Sequence, residues 1–143
     1  MNTFNPSESY VLFEVAGRTC GVRSQSVLSV EMVEHVTAVP NAAPFVEGIT
    51  LTRGKVISSI NLRVRFGFSR IPAEPRARML VVRPKNRTAG LLVDSVREFV
   101  TIPKSTIRPA GNADTIDRFV EGVALLGERV ILIVNLEEVI EGD

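Results

Sequence analysis

A chain of 143 residues with a formal net charge of +1 carries enough sequence for one domain and no charge excess of either sign. Its 17 Lys and Arg are interspersed with 16 Asp and Glu, which argues against a nucleic-acid or anionic-lipid partner. One Cys, one His and no apolar run of about 18 residues exclude an internal disulfide, a Cys/His metal site and direct membrane insertion through a helix. A cytoplasmic protein with no cofactor is expected.

Apolar residues come in short blocks rich in Val, Ile and Leu. In chain order these are YVLFEV (10–15), VISSI (56–60), MLVV (79–82), GLLV (90–93), FVTI (99–102) and VILIV (130–134). None keeps a helical period, so each predicts a strand. Short helices are expected over Ser24–Val30, Leu62–Phe66 and Leu136–Ile140. Turn chemistry at Ala16-Gly17-Arg18, Arg53-Gly54, Pro84–Arg87 and Gly127-Glu128 joins neighbouring strands into hairpins.

The chain also repeats itself. FVEGITLTRGKVISSINL (Phe45–Leu62) aligns without a gap on FVEGVALLGERVILIVNL (Phe119–Leu136), with nine of 18 positions identical and an offset of 74. Two similar halves follow, each too small to be stable alone, so they must share apolar surface. The polar stretch Ser69–Arg78, with two prolines, is expected to connect them. That places a first barrel at 16–76 and a second at 77–143, with the N-terminal strand 9–15 contributing to the second. Closely spaced hairpins in so short a half favour closed barrels, which leave no sheet edge exposed. In both copies the FVEG glycine is expected where a Cβ would obstruct the backbone or its packing.

Catalytic chemistry finds little to stand on. His35 lies in the charged run Glu31–His35 and reads as a loop or strand-edge residue; Cys20 reads as a small core residue. No phosphate-binding glycine motif occurs. Glu137, Glu138, Glu141 and Asp143 read as a solvated tail. A binding module without catalytic residues is the leading class.

Between Tyr10 and Ile140 the chain resembles the CheW-like domain family, the coupling proteins of bacterial chemosensory arrays. The residues that carry the likeness are Val39-Pro40, Pro44–Ile49, Arg53–Ile57, Asn61–Arg63, Gly90–Val96, Ile107–Pro109 and Val130–Leu136. The resemblance implies a mostly β fold of two five-stranded SH3-like barrels packed on a shared core, with short helices. It implies an adaptor between the cytoplasmic helical tip of a chemoreceptor and the regulatory domain of a CheA-type histidine kinase, with self-association in rings. It implies a receptor-binding surface at Arg53, Val27, Ser29, Glu47 and Gly48, and a kinase contact at Arg108 and at Ala113, where an aromatic residue is frequent.

Departures from the family pattern include Leu51 for Asn, Ser58 for Pro, Asn61 for Asp and Ser29 for an acidic residue. They point to a divergent member, serving a pilus or second-messenger pathway or acting as a regulatory or array-structural module that activates no kinase. The two repeats diverge at their hairpin turns: Arg53 has Gly127 as its counterpart. If shared residues build the fold, unshared ones are free to distinguish surfaces, which places the receptor site on the first barrel.

Overall fold

YVLFEV and MLVV are apolar at consecutive positions because both faces of these strands are covered. Along Ser7–Val15 (β1), Val11, Phe13 and Val15 enter one cluster while Tyr10 and Leu12 enter another. Along Arg78–Val82, Leu80 and Val82 join the first of these clusters while Met79 and Val81 enter a third. The period of two in a strand sends alternate side chains to opposite faces, so a run without alternation marks a strand buried on both.

The computed structural model describes residues 7–111 and 115–141. After β1 come β2 (Arg18–Arg23), β3 (Val27–Met32), β4 (Val46–Thr52), β5 (Lys55–Asn61), α1 (Leu62–Arg65), β6 (Arg78–Val82) and β7 (Ala89–Val93). Then follow β8 (Ser95–Pro103), β9 (Ile107–Arg108), β10 (Val120–Leu126), β11 (Arg129–Val134) and α2 (Leu136–Glu141). Helices are thus few and short, and the fold is mostly β. Ser24–Val30 differs from expectation: only Ser24–Ser26 makes a 3-10 turn, and VLSVEM continues as β3. Its alternation of half-buried and exposed positions has the strand period, and this outweighs local turn chemistry.

Among the described residues two sheets form, in the orders β3-β6-β7-β5-β4 and β8-β1-β2-β11-β10-β9. Each closes on itself through the continuation of its first strand. Beyond β3, Thr37 bridges Ile49 on β4; beyond β8, β9 pairs with β10 through Arg108 opposite Val123. Ile49 and Val123 are repeat equivalents, so both barrels close at the same place. Counting β8 and β9 as one interrupted strand, each barrel has five.

The expected division at 76/77 is not where the sheets separate. The first barrel comprises β3 to β7, so Ser69–Arg78 connects α1 to β6 within that barrel rather than joining two halves. The second takes β8 to β11 from the C-terminal part and β1–β2 from the N-terminus, and β1–β2 occupies the place that β6–β7 holds in the first. The equivalence extends to detail. The parallel pairs Ser59 with Gly90 and Ile133 with Gly21 correspond, and both edge strands are bulged, at Leu28 and Arg97.

The repeated sequence has a physical meaning residue by residue. In each copy the N–H of Asn61 or Asn135 donates to the carbonyl of Phe45 or Phe119, at 2.7 and 2.8 Å. The same asparagine side chain accepts an N–H in the first turn of the following helix, from Val64 or Glu138. Glu47 and Glu121 are the extra residues of matching β-bulges. Next to each bulge the glycine is compulsory. A Cβ on Gly48 would overlap the Thr37 carbonyl oxygen, and one on Gly122 would sit 2.7 Å from Cγ2 of Ile107.

Between the barrels lies the largest cluster, which mixes Val11, Phe13 and Val22 of the second barrel with Leu62, Leu80 and Leu91 of the first. Arg65 is buried at its heart. Its Nε and Nη2 donate to the carbonyls of Val139 and Glu138 in α2, at 3.0 and 3.1 Å. Its guanidinium stacks on Phe45 and Phe119 at 3.9 and 4.8 Å from the ring centres. Replacing Arg65 by Met, which keeps the apolar stem but not the donors, should cost about 2 kcal/mol by leaving helix carbonyls unsatisfied. Urea denaturation measures this, and a loss below about 0.5 kcal/mol would contradict the assignment.

Cys20 is buried in the same cluster. Loss of hydration pushes its thiol up to about 12. Because the folded value lies above that of the unfolded chain, the stabilising contribution is complete below the unfolded value of about 8.5 and is lost as pH rises towards the folded one. Iodoacetamide at neutral pH should therefore leave Cys20 unlabelled in the native protein and label it in denaturant, as mass spectrometry would read.

Candidate functional site

The β4–β5 hairpin turn presents Arg53 with φ 51° followed by Gly54 with φ 80°, the pair of positive values that a two-residue type I′ turn demands. For a residue with a Cβ this left-handed region costs about 1–2 kcal/mol. At the equivalent turn of the second barrel, Gly127 (φ 65°) escapes that cost. Arg53 thus occupies a position where glycine fits better. Strained residues of this kind concentrate at functional sites.

The Arg53 side chain is 75% exposed, and its Nε donates to Glu31 Oε2 at 2.9 Å. Glu31 lies on β3 on the same face as Val27 and Ser29, all three half-buried, while Leu28, Val30 and Met32 face solvent. The Ser29 hydroxyl, and secondly the Arg53 guanidinium, hold the Glu31 carboxyl below the usual carboxylate range. The structure therefore brings Ser29 and Arg53 together around a residue that sequence reasoning missed. The available signal was the period of two from Val27 through Ser29 to Glu31.

Glu47 and Gly48 sit at the other end of β4. The Glu47 carboxylate accepts from Asn61 Nδ2 at 2.8 Å and pairs with Arg70, which also donates to the Pro44 carbonyl. Arg70 thereby pins the Ser69–Arg78 stretch over a cleft of about 370 Å³, bordered by a second ion pair between Arg63 and Asp94. In the second barrel Glu121 is held likewise, by Arg23 at 2.6 Å. Arg108 is exposed on β9, its Nη1 donating to the Ser105 carbonyl at 3.1 Å. Ala113 lies outside the described residues.

Leu51 and Val56 face each other across the β4–β5 hairpin, 69% and 68% exposed. Their equivalents Leu125 and Val130 do so across β10–β11 at 54% and 53%. Both pairs are identical between the repeats, yet they contribute nothing to any core. The expectation that shared residues build the fold fails here. Identity between the repeats also preserved a surface, an apolar pair beside the hairpin turn of each barrel. Val30 and Phe99, at equivalent positions of β3 and β8, are exposed as well. Cross-strand apolar pairs left in water mark an interaction surface when they recur with neighbours of the same kind.

Among the described residues no group of three His, Cys, Asp or Glu could hold a metal ion, and no helix is long and apolar enough to cross a membrane. His35 is exposed, and its backbone carbonyl accepts from the Thr50 hydroxyl at 3.0 Å.

Twin barrels on one core, each with an apolar pair beside its hairpin turn, define a β-barrel scaffold module. Residues 9–143 match the family model of the CheW-like domain, and the chain belongs to that family. It is 30% identical over 139 residues to a chemotaxis protein CheW of Rhizobium meliloti, covering 94% of this chain and 88% of that one. With a CheW of Klebsiella aerogenes it shares 25% over 138 residues, covering 95% and 83%. The crystal structure of the scaffolding protein TtCheW from Thermoanaerobacter tengcongensis superposes with a TM-score of 0.89 at 32% identity, covering 96% and 95%. This chain is accordingly a chemotaxis-type scaffold protein.

Arg53→Gly relieves the left-handed strain and gives up one exposed ion pair, so unfolding free energy should change by less than about 1 kcal/mol. A loss above about 2 kcal/mol would show that Arg53 is retained for the fold.

Proposed function

We propose that this chain is a non-catalytic, cytoplasmic adaptor that couples the helical tip of a chemoreceptor to a CheA-type histidine kinase. The observation that carries this reading is the recurrence of the exposed apolar pair, Leu51 with Val56 and Leu125 with Val130, on both barrels. A module that must join two neighbours needs two such faces. The kinase's regulatory domain, itself CheW-like, would present matching pairs, and the contacts would bury apolar surface against apolar surface. Arg108, exposed on β9, and Ala113 are the further kinase contacts this reading carries.

Receptor recognition falls to the first barrel. Arg53 offers a planar five-donor group on a turn beside the exposed strip of Leu28, Val30 and Met32, a combination suited to a helix with an apolar stripe and a carboxylate. Val27 and Ser29 line the same strand from its inner face. Glu47 and Gly48 act from behind, fixing the bulge from which β4 starts.

A second reading has its own support. Because the two apolar faces are equivalent, one copy's first barrel could take another copy's second. Such a head-to-tail contact closes into rings or runs on as a filament. The chain would then build or cap an array without activating a kinase.

Two measurements separate these. Arg53→Glu should weaken co-sedimentation with a receptor cytoplasmic fragment at least about tenfold, the loss expected when a partner's carboxylate meets a like charge. Unchanged binding would remove Arg53 from the site. Kinase autophosphorylation with receptor should rise when this protein is added; clear receptor binding without stimulation would favour the array-structural reading.

A further inference from the structure

Each barrel has a bulge carboxylate, Glu47 or Glu121, and each pairs it with an arginine, but the two arginines come from different places. In the second barrel it is Arg23, the last residue of β2. The strand registers make Leu92 its counterpart: Gly90 beside Ser59 corresponds to Gly21 beside Ile133, and Leu92 and Arg23 each lie two residues further on. In the first barrel the arginine is Arg70, which reaches Glu47 from the 69–78 stretch, a strap laid across the barrel. The exchange puts an apolar side chain where the second barrel has a charged one, and moves the charge into the strap.

The result is a space that the strap covers without filling. Residues 71–74 have no regular structure and lie exposed, and among the described residues no backbone–backbone hydrogen bond ties 69–76 to the barrel. Beneath them is the cleft of about 370 Å³, with Val33, Val36, Leu92 and Val93 on the barrel side and Ile71 and Pro72 on the strap side. Sites for small ligands begin at about 300 Å³ and combine an apolar lining with a few polar groups. The equivalent cleft of the second barrel, of about 360 Å³, has Arg23, Lys85, Glu121 and Glu137 around it instead. Barrel geometry thus makes a cleft at this place twice, and the first has been given an apolar lining.

Three arginines line this cleft, and they differ in how they are engaged. Arg63 is bound to both oxygens of Asp94, at 3.0 and 3.1 Å, and Arg70 to Glu47 and the Pro44 carbonyl. Arg76 has Glu74, two residues away, on its Nε at 3.4 Å, and its terminal nitrogens have no partner among the described residues. Both members of that pair are more than half exposed, so it holds the arginine weakly. A guanidinium fork beside an apolar cleft matches a carboxylate carried on an apolar body. We propose that the cleft under the strap binds a small amphipathic monocarboxylate, with its apolar body between Leu92 and Ile71 and its carboxylate on Arg76. The site shares no residue with the Arg53 turn or the exposed apolar pairs, and it stands or falls separately from them.

The test uses the full, isotopically labelled chain and two probes of the same shape, phenylbutyrate and its neutral amide, with backbone amide shifts as the readout. Phenylbutyrate should give saturable shifts at Ile71, Ala73, Leu92 and Val93. The amide should bind about tenfold more weakly, because it loses a hydrogen bond between charged groups. Arg76→Ala should cost phenylbutyrate a similar factor and leave the affinity for the amide unchanged. Ala73→Trp, a substitution on the exposed strap, should fill the cleft and abolish binding of both probes without lowering the melting temperature. Absence of saturable shifts at these residues with either probe, or shifts confined to the exposed faces around Leu51 and Leu125, would overturn the site. Equal affinity for acid and amide, or an Arg76→Ala protein that holds phenylbutyrate as tightly as the parent, would overturn the assignment of the carboxylate to Arg76.

Discussion

Arg65 reaches across the molecule to the backbone of Val139, which is its own counterpart 74 residues later. The aromatic rings that enclose it, Phe45 and Phe119, are also counterparts, the first letters of the two FVEG segments. A contact between equivalent positions arises when a unit packs on its own copy, as at an isologous dimer interface. Here both copies lie in one chain, and a buried cation is shared between them. Such a cation is tolerable because helix carbonyls satisfy its donors and two π faces stabilise its charge. The rest of the structure depends on this junction. It anchors α2, sets the two FVEG bulges against the shared core, and joins two barrels whose private interiors are small.

The private interior of the first barrel is the smaller of the two, with Ile57, Met79 and Val81 as its buried hydrophobics. Six buried hydrophobics among the described residues fill that of the second. The inter-barrel cluster exceeds both combined, so each half derives most of its burial from the other. The N-terminal hairpin strengthens the dependence, because β1–β2 completes a barrel whose remaining strands come from the far end of the chain. The second barrel therefore cannot be cut out as contiguous sequence, whereas the strands of the first, β3 to β7, are one run of the chain.

Most of this was legible in residues whose pattern has a single physical cause. The short apolar blocks could only be strands, and the gapless repeat could only be a doubled unit. The position of the doubling was not legible. Ser69–Arg78 looks like a linker by composition, but composition cannot distinguish a connection between barrels from a loop within one. What fixes the answer is that YVLFEV pairs where MLVV pairs in the sister barrel, a correspondence of packing with little identity of letters. The site was half legible. Arg53 stood out because its repeat partner is glycine, whereas Leu51 and Val56 were hidden by their identity with Leu125 and Val130. Repetition preserves whatever both copies must do, and here that includes presenting an apolar pair to solvent. Glu31 escaped notice because its pairing with Arg53, 22 residues away, appears only when the strands are in place.

Duplication therefore supplies two equivalent faces, and divergence at a few positions makes one of them different. On the first barrel the left-handed Arg53 and its ion-pair partner Glu31 add charge beside the apolar pair; on the second, Gly127 takes the place of the arginine. The most direct test of this asymmetry is to follow backbone amide shifts of the isotopically labelled protein during titration with a receptor cytoplasmic fragment. The account predicts perturbations concentrated on β3 and the β4–β5 turn, at Ser29, Glu31, Arg53 and Gly54, with Glu98, Val100 and Gly127 unmoved. Equal perturbation of both barrels, or movement confined to the second, would contradict it.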